Sequence, residues 1–107
     1  MDYKDLYSDL TKKLELEIPM TAYPVRELVQ IFREKGDPIT LKSKLTITRV
    51  FNSGDISGIL CTVGEDAKNV FVCSLTHLIF DKTFSLYKEI VDYQQRRNKR
   101  IQQLNQM

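Results

Sequence analysis

At 107 residues the chain has room for one compact domain and not for two. Its 42% hydrophobic and 28% charged residues exclude a disordered or collagen-like chain, and a formal charge of +2 gives no overall bias toward nucleic acid or membrane. No run approaches the roughly 18 apolar residues of a membrane span. Met1 to Leu10 alternates charged with apolar residues instead of showing the basic start and apolar run of an export signal, so a cytoplasmic protein is expected.

Tyr3, Leu6, Tyr7, Leu10 and Leu14 recur at steps of three and four, which predicts a first helix over about residues 3–15. Asp2 and Asp5 stand where negative charge suits a helix N-terminus. Pro19 closes this helix, although Leu14, Leu16, Ile18 and Met20 also alternate and would suit an extended last turn. A second helix follows from the stripe Val25, Leu28, Val29 and Phe32, with Thr21 as its cap, Pro24 in its first turn and Gly36 as its stop.

From Thr40 the period becomes two. Leu45, Ile47 and Phe51 alternate with Thr46, Thr48 and Val50, and Asn52-Ser53-Gly54-Asp55 has the composition of a turn. Pairing Phe51 with Ile56 sets Ile47 against Leu60 and Leu45 against Thr62. A second turn at Gly64 to Asn69 leads into Val70–Leu75, and pairing Val63 with Val70 sets Leu60 against Cys73. In this register Ile59, Cys61, Val63, Val70 and Val72 share the other face, so the central strands are apolar on both sides and each side needs a cover. Burying five such side chains is worth roughly 1.5–3 kcal/mol apiece.

A last helix is predicted from about Thr83 to the C-terminus, capped by Asp81 or Thr83. Phe84, Leu86, Tyr87, Ile90, Val91 and Tyr93 make its first half apolar, whereas only Ile101, Leu104 and Met107 are apolar beyond them. A helix of more than about 20 residues is roughly 30 Å long, so residues 94–107 are expected to overhang the sheet. The expected fold is α+β, a single domain over 1–107: a three-stranded antiparallel meander with two N-terminal helices and one long C-terminal helix.

Residues 93–107 hold four positive charges and no acid. Arg96, Arg97, Lys99 and Arg100 therefore suit phosphates, an acidic protein, or simply a solvated helix end. Lys42 and Lys44, on one face of the first strand with Thr46 and Thr48, suit the guarding of a sheet edge or a nucleic-acid groove. Aromatic residues to stack on bases are thin, because Phe51 and Phe71 fall on the face assigned to the core. His77 is the only histidine, and with Cys61 and Cys73 it offers at most three soft ligands. The register turns the two cysteines to opposite faces, which argues against a zinc site and a disulfide alike. No cofactor, metal or catalytic constellation is expected. Gly54, Gly58 and Gly64 do not compose a phosphate-binding loop, while a glycine at 58 within a strand marks a bulge or a close backbone approach.

The order helix, three strands, helix from Pro24 onward is similar to that of double-stranded RNA-binding domains, whose first helix Pro24-Val25-Arg26-Glu27-Leu28 resembles. Those domains begin their last helix with a Lys- and Ala-rich segment, and Asp81-Lys82-Thr83-Phe84-Ser85-Leu86 stands in its place here. Strands followed by a long helix is similar, in order alone, to the positive-cofactor class of single-strand DNA-binding coactivators. Neither family is assigned. The expected function is a small non-enzymatic interaction or regulatory module acting as a homodimer. Ile59, Cys61, Val63, Val70 and Val72 would be buried against a second copy, with Ile101 and Leu104 reaching across to it. The alternative is nucleic-acid binding through Arg96, Arg97, Lys99 and Arg100 together with Lys42 and Lys44, and an enzyme using His77 is a third reading.

Overall fold

In the computed structural model the described residues are 3–36, 39–64 and 70–106, with side chains from Tyr7 onward. The chain runs α1 (Tyr3–Glu15), β1 (Met20–Pro24), α2 (Arg26–Glu34), β2 (Leu45–Asn52), the single turn α3 (Gly54–Ser57), β3 (Ile59–Gly64), β4 (Val70–Ser74), a 3-10 turn at Leu75–His77, β5 (Leu78–Ile79) and α4 (Tyr87–Asn105). Five strands form one antiparallel sheet in the order β4-β3-β2-β1-β5. The fold is α+β with a long C-terminal helix, and the meander β2-β3-β4 is extended by two strands that the periodicity did not show.

β1 was concealed as a linker. It buries Met20, Ala22 and Pro24 and turns Thr21 and Tyr23 outward, the alternation of a half-covered strand. Thr21 therefore lies in the sheet, and α2 begins after Val25 with no side-chain cap. Near the other helix, Asp81 Oδ1 accepts from the Thr83 N–H at 2.9 Å and the Thr83 hydroxyl at 2.7 Å, so these two residues close a turn and α4 starts only at Tyr87.

The register corrects the sequence reading in two places. α3 fills the β2–β3 connection, so pairing begins at Asn52 with Ile59 and Phe51 faces Leu60. The Ser53 N–H donates to the Gly58 carbonyl at 2.8 Å, and Gly58 takes a φ of +69° to close the loop. A bulge between Ile47 and Arg49 then shifts the alternation by one residue. Leu45, Ile47 and Val50 all point inward, while Phe51 points outward with Arg49. On the far side β4 is one residue out from the expected pairing: Cys61 opposes Cys73, Thr62 opposes Val72 and Gly64 opposes Val70. A slip of one exchanges the faces of a strand. The rest of the expected turn, residues 65–69, lies outside the described residues.

Two expectations fall with that slip. Ile59, Cys61 and Val63 are each 0% exposed, on the face covered by the chain's own helices, and need no second copy to bury them. Cys61 and Cys73, expected on opposite faces, stand directly opposite each other on the same face as free thiols. Burial pushes both thiols up, Cys73 to about 12, so neither carries thiolate near neutral pH.

All three long helices feed the same core. Tyr7, Leu10 and Leu14 of α1, Leu28 and Phe32 of α2, and Ile90 and Tyr93 of α4 pack with Met20, Ala22, Leu45, Ile47, Val50, Ile59, Cys61, Val63 and Cys73. Phe32 meets Phe71 with ring centroids 3.9 Å apart, which anchors α2 over β4. Among the described residues the sheet is thus layered on one side only.

Candidate functional site

The basic half of α4 is not a free overhang. Ile90, Tyr93, Arg97 and Arg100 follow one another at steps of three and four, so they continue a single stripe down the helix toward α3. Tyr93 Oη accepts the Ile59 N–H at 2.8 Å, and its ring meets that of Tyr7 edge-on at 5.4 Å. Burial pushes the Tyr93 phenol up to about 12. The Arg97 guanidinium, 2% exposed, donates to the main-chain carbonyls of Asp55 and Ile56 and reaches Tyr7 Oη at 3.3 Å. Arg100 grips the Asp55 carboxylate with two parallel bonds, Nε to Oδ1 at 2.9 Å and Nη2 to Oδ2 at 2.5 Å. Beside them Gln94 Nε2 donates to the carbonyls of Leu75 and Leu78 at 2.9 and 2.7 Å, which ties the helix to the 3-10 turn and β5.

Gly58 explains why this clasp closes. A Cβ there would stand 2.5 Å from Tyr93 Oη and 2.8 Å from Arg97 Nε, so only glycine admits the helix. Gly58 lies just ahead of β3 and not within a strand, and of the two expectations, bulge or close backbone approach, the close approach is the one found, with α4 as its partner.

This geometry corrects the phosphate-binding set. Arg97 is inside the protein, Arg100 is spent on Asp55, and Arg96 pairs with Asp92 at 3.1 Å, which leaves Lys99 as the exposed member without an ion pair among the described residues. Lys42 and Lys44 are exposed, ahead of β2. Ile101 and Leu104 are half-buried on α4. The missed signal was that Arg97 and Arg100 keep the spacing of Ile90 and Tyr93, which is that of a helix face turned inward.

Arg100 holds the Asp55 carboxyl below its usual value of 3.8, helped by Arg97 and partly opposed by the carboxyl's own desolvation. A depressed native pKa gives stability that is present above 3.8 and disappears as pH falls through the native value. The stability gap between wild type and Asp55→Asn is therefore expected to be constant at neutral pH and to shrink on acidification below about 4. Urea unfolding of both proteins across that range checks this; a gap that widens in acid refutes the assignment.

The opposite face of the sheet has a different character. Arg49, Thr62 and Val72 form one row across β2, β3 and β4, and Phe51, Leu60 and Ser74 form the next. Thr21, Thr46, Gly64 and Val70 make a third, and Tyr23 stands beside Ile79 at the far edge. Val70, Val72 and Ile79 are each more than half exposed and Tyr23 is 40% exposed, while Phe51 and Leu60 are half-buried. The five strands contain no Asp or Glu, and their one charged residue is Arg49. It is exposed and has no ion pair among the described residues.

A cleft of about 170 Å³ between α1 and α4, with Tyr7, Leu10 and Tyr93 as its floor, is rimmed by pairs the protein makes with itself: Lys13 with Asp9 and Glu89, and Arg96 with Asp92. Among the described residues no three His, Cys, Asp or Glu gather as a metal site, and no helix is long and apolar enough to cross a membrane. The chain matches no family profile, no curated protein and no solved structure.

Proposed function

We propose that this chain is a non-enzymatic binding module whose contact surface is the bare face of its sheet. One observation carries the reading: α1, α2 and α4 all bury their apolar residues on the inner face, and Val70, Val72, Tyr23 and Ile79 stay wet on the other. An antiparallel sheet with one solvated face ordinarily sets polar residues there. Here three adjoining strands present Phe51, Leu60, Val70 and Val72 instead, the composition of a contact surface. Tyr93, Gln94, Arg97 and Arg100 each hold backbone or carboxylate groups of the chain itself, which supports an architectural part for them.

Methyl-labelled protein observed by NMR in a native extract tests this. Signals of Leu60, Val70 and Val72 are expected to broaden or shift, and Val72→Lys is expected to restore them for Leu60 and Val70. Perturbation confined to Leu10, Leu14 and Ile90 on the helix side, or none at all, refutes it.

A further inference from the structure

The bare face differs from the rest of the surface in charge. On the helices Lys13, Arg96, Arg97 and Arg100 are each matched to a carboxylate, and cations without an ion pair among the described residues, such as Lys12, Arg33 and Lys99, share their helix with Asp or Glu. On the sheet side Arg49 stands exposed at the centre of a surface whose strands carry no acid, and Lys44 is exposed immediately ahead of β2. Aromatic side chains lie toward both ends of this track: Phe51 two residues beyond Arg49 on β2, and Tyr23 on β1. Hydroxyls of Thr21, Thr46 and Thr62 lie between. The bulge between Ile47 and Arg49 makes this arrangement, because it turns Arg49 and Phe51 outward together.

Taking the bare face as the contact surface, we propose that its occupant is single-stranded nucleic acid. A single strand offers a backbone of negative charge and flat bases with apolar faces, and a flat track of cation, aromatic and hydroxyl side chains complements both. Duplex is disfavoured, since its bases are already stacked on one another and offer no free face to Phe51 or Tyr23. A second copy is disfavoured by charge. Two sheets joined face to face about an axis near the centre would bring Arg49 against its own image, with no acid on the strands of either copy to separate them. The proposal moves nucleic-acid recognition from the C-terminal helix, whose arginines are engaged within the protein, to the sheet.

Fluorescence anisotropy with labelled oligo(dT) and oligo(U) of about 12 nucleotides, and a duplex of the same length, provides the test. The single strands are expected to bind and the duplex to bind at least about tenfold more weakly. Affinity should fall steeply between about 50 and 200 mM salt. Arg49→Glu and Tyr23→Ala are each expected to weaken binding about tenfold or more with the melting temperature retained, both residues being exposed. Lys99→Glu, on the other side of the molecule, is expected to leave it unchanged. Absence of binding, or binding that Arg49→Glu and Tyr23→Ala leave intact, overturns the proposal. Light scattering and extract NMR on the same samples separate the two readings. A dimer that Val72→Glu dissolves, or bare-face signals perturbed by extract protein without oligonucleotide binding, discards nucleic acid and retains the contact surface. A monomer with neither response discards both.

Discussion

Arg97→Ala is expected to destabilise the protein by about 3–5 kcal/mol, the range for removing one member of a buried, hydrogen-bonded charged group. The side chain is 2% exposed, and its loss removes the donor shared by the part-buried carbonyls of Asp55 and Ile56 and empties a space beside Tyr7. Each group left without a partner there costs about 1–3 kcal/mol. Arg97→Lys should recover little, because a single ammonium cannot span two carbonyls as the planar fork does. The exposed neighbour Arg96, whose side chain is 65% exposed in its pair with Asp92, sets the contrast: Arg96→Ala is expected to change stability by less than about 1 kcal/mol. Urea unfolding midpoints for the three variants decide it, and an Arg97→Ala protein as stable as Arg96→Ala would show that the clasp contributes nothing.

Gly58→Ala is expected to be the next most damaging single change, at about 2–5 kcal/mol. Two costs combine: a φ of +69° with ψ of −148°, a region closed to side-chain-bearing residues, and a methyl placed 2.5 Å from Tyr93 Oη. The two can be separated. In a Tyr93→Phe background the hydroxyl is gone, so the added methyl should cost less there than in wild type, by about 1 kcal/mol or more. Equal penalties in the two backgrounds would assign the effect to backbone strain together with the Arg97 contact.

The helices were legible because their stripes are long and regular: α1 occupies the predicted residues, and Leu28, Val29 and Phe32 are the buried side of α2. What escaped was decided by one-residue events that leave no mark in a periodic pattern. The bulge between Ile47 and Arg49 and the one-turn α3 each alter the register locally, and alternation then assigns whole strands to the wrong face. Thus Phe51 was given to the core and Ile59, Cys61 and Val63 to an interface, the reverse of where they lie. β1 was missed since Pro24, its last residue, read as a helix start. Arg97 was misread for a different reason: charge in the second half of a helix suggests solvent, and only the spacing from Ile90 through Tyr93 shows that this one faces inward.

The clasp between α4 and α3 also sets an order of events on the ribosome. Arg97 holds a carbonyl 42 residues upstream of it, so the grip cannot form until well after β2 and β3 have left the tunnel. At about 5–20 residues per second that interval is roughly 2–8 s. Throughout it the emerging hairpin has its tip unsecured and the inward side chains of Ile59, Cys61 and Val63 lack the cover that α4 later supplies.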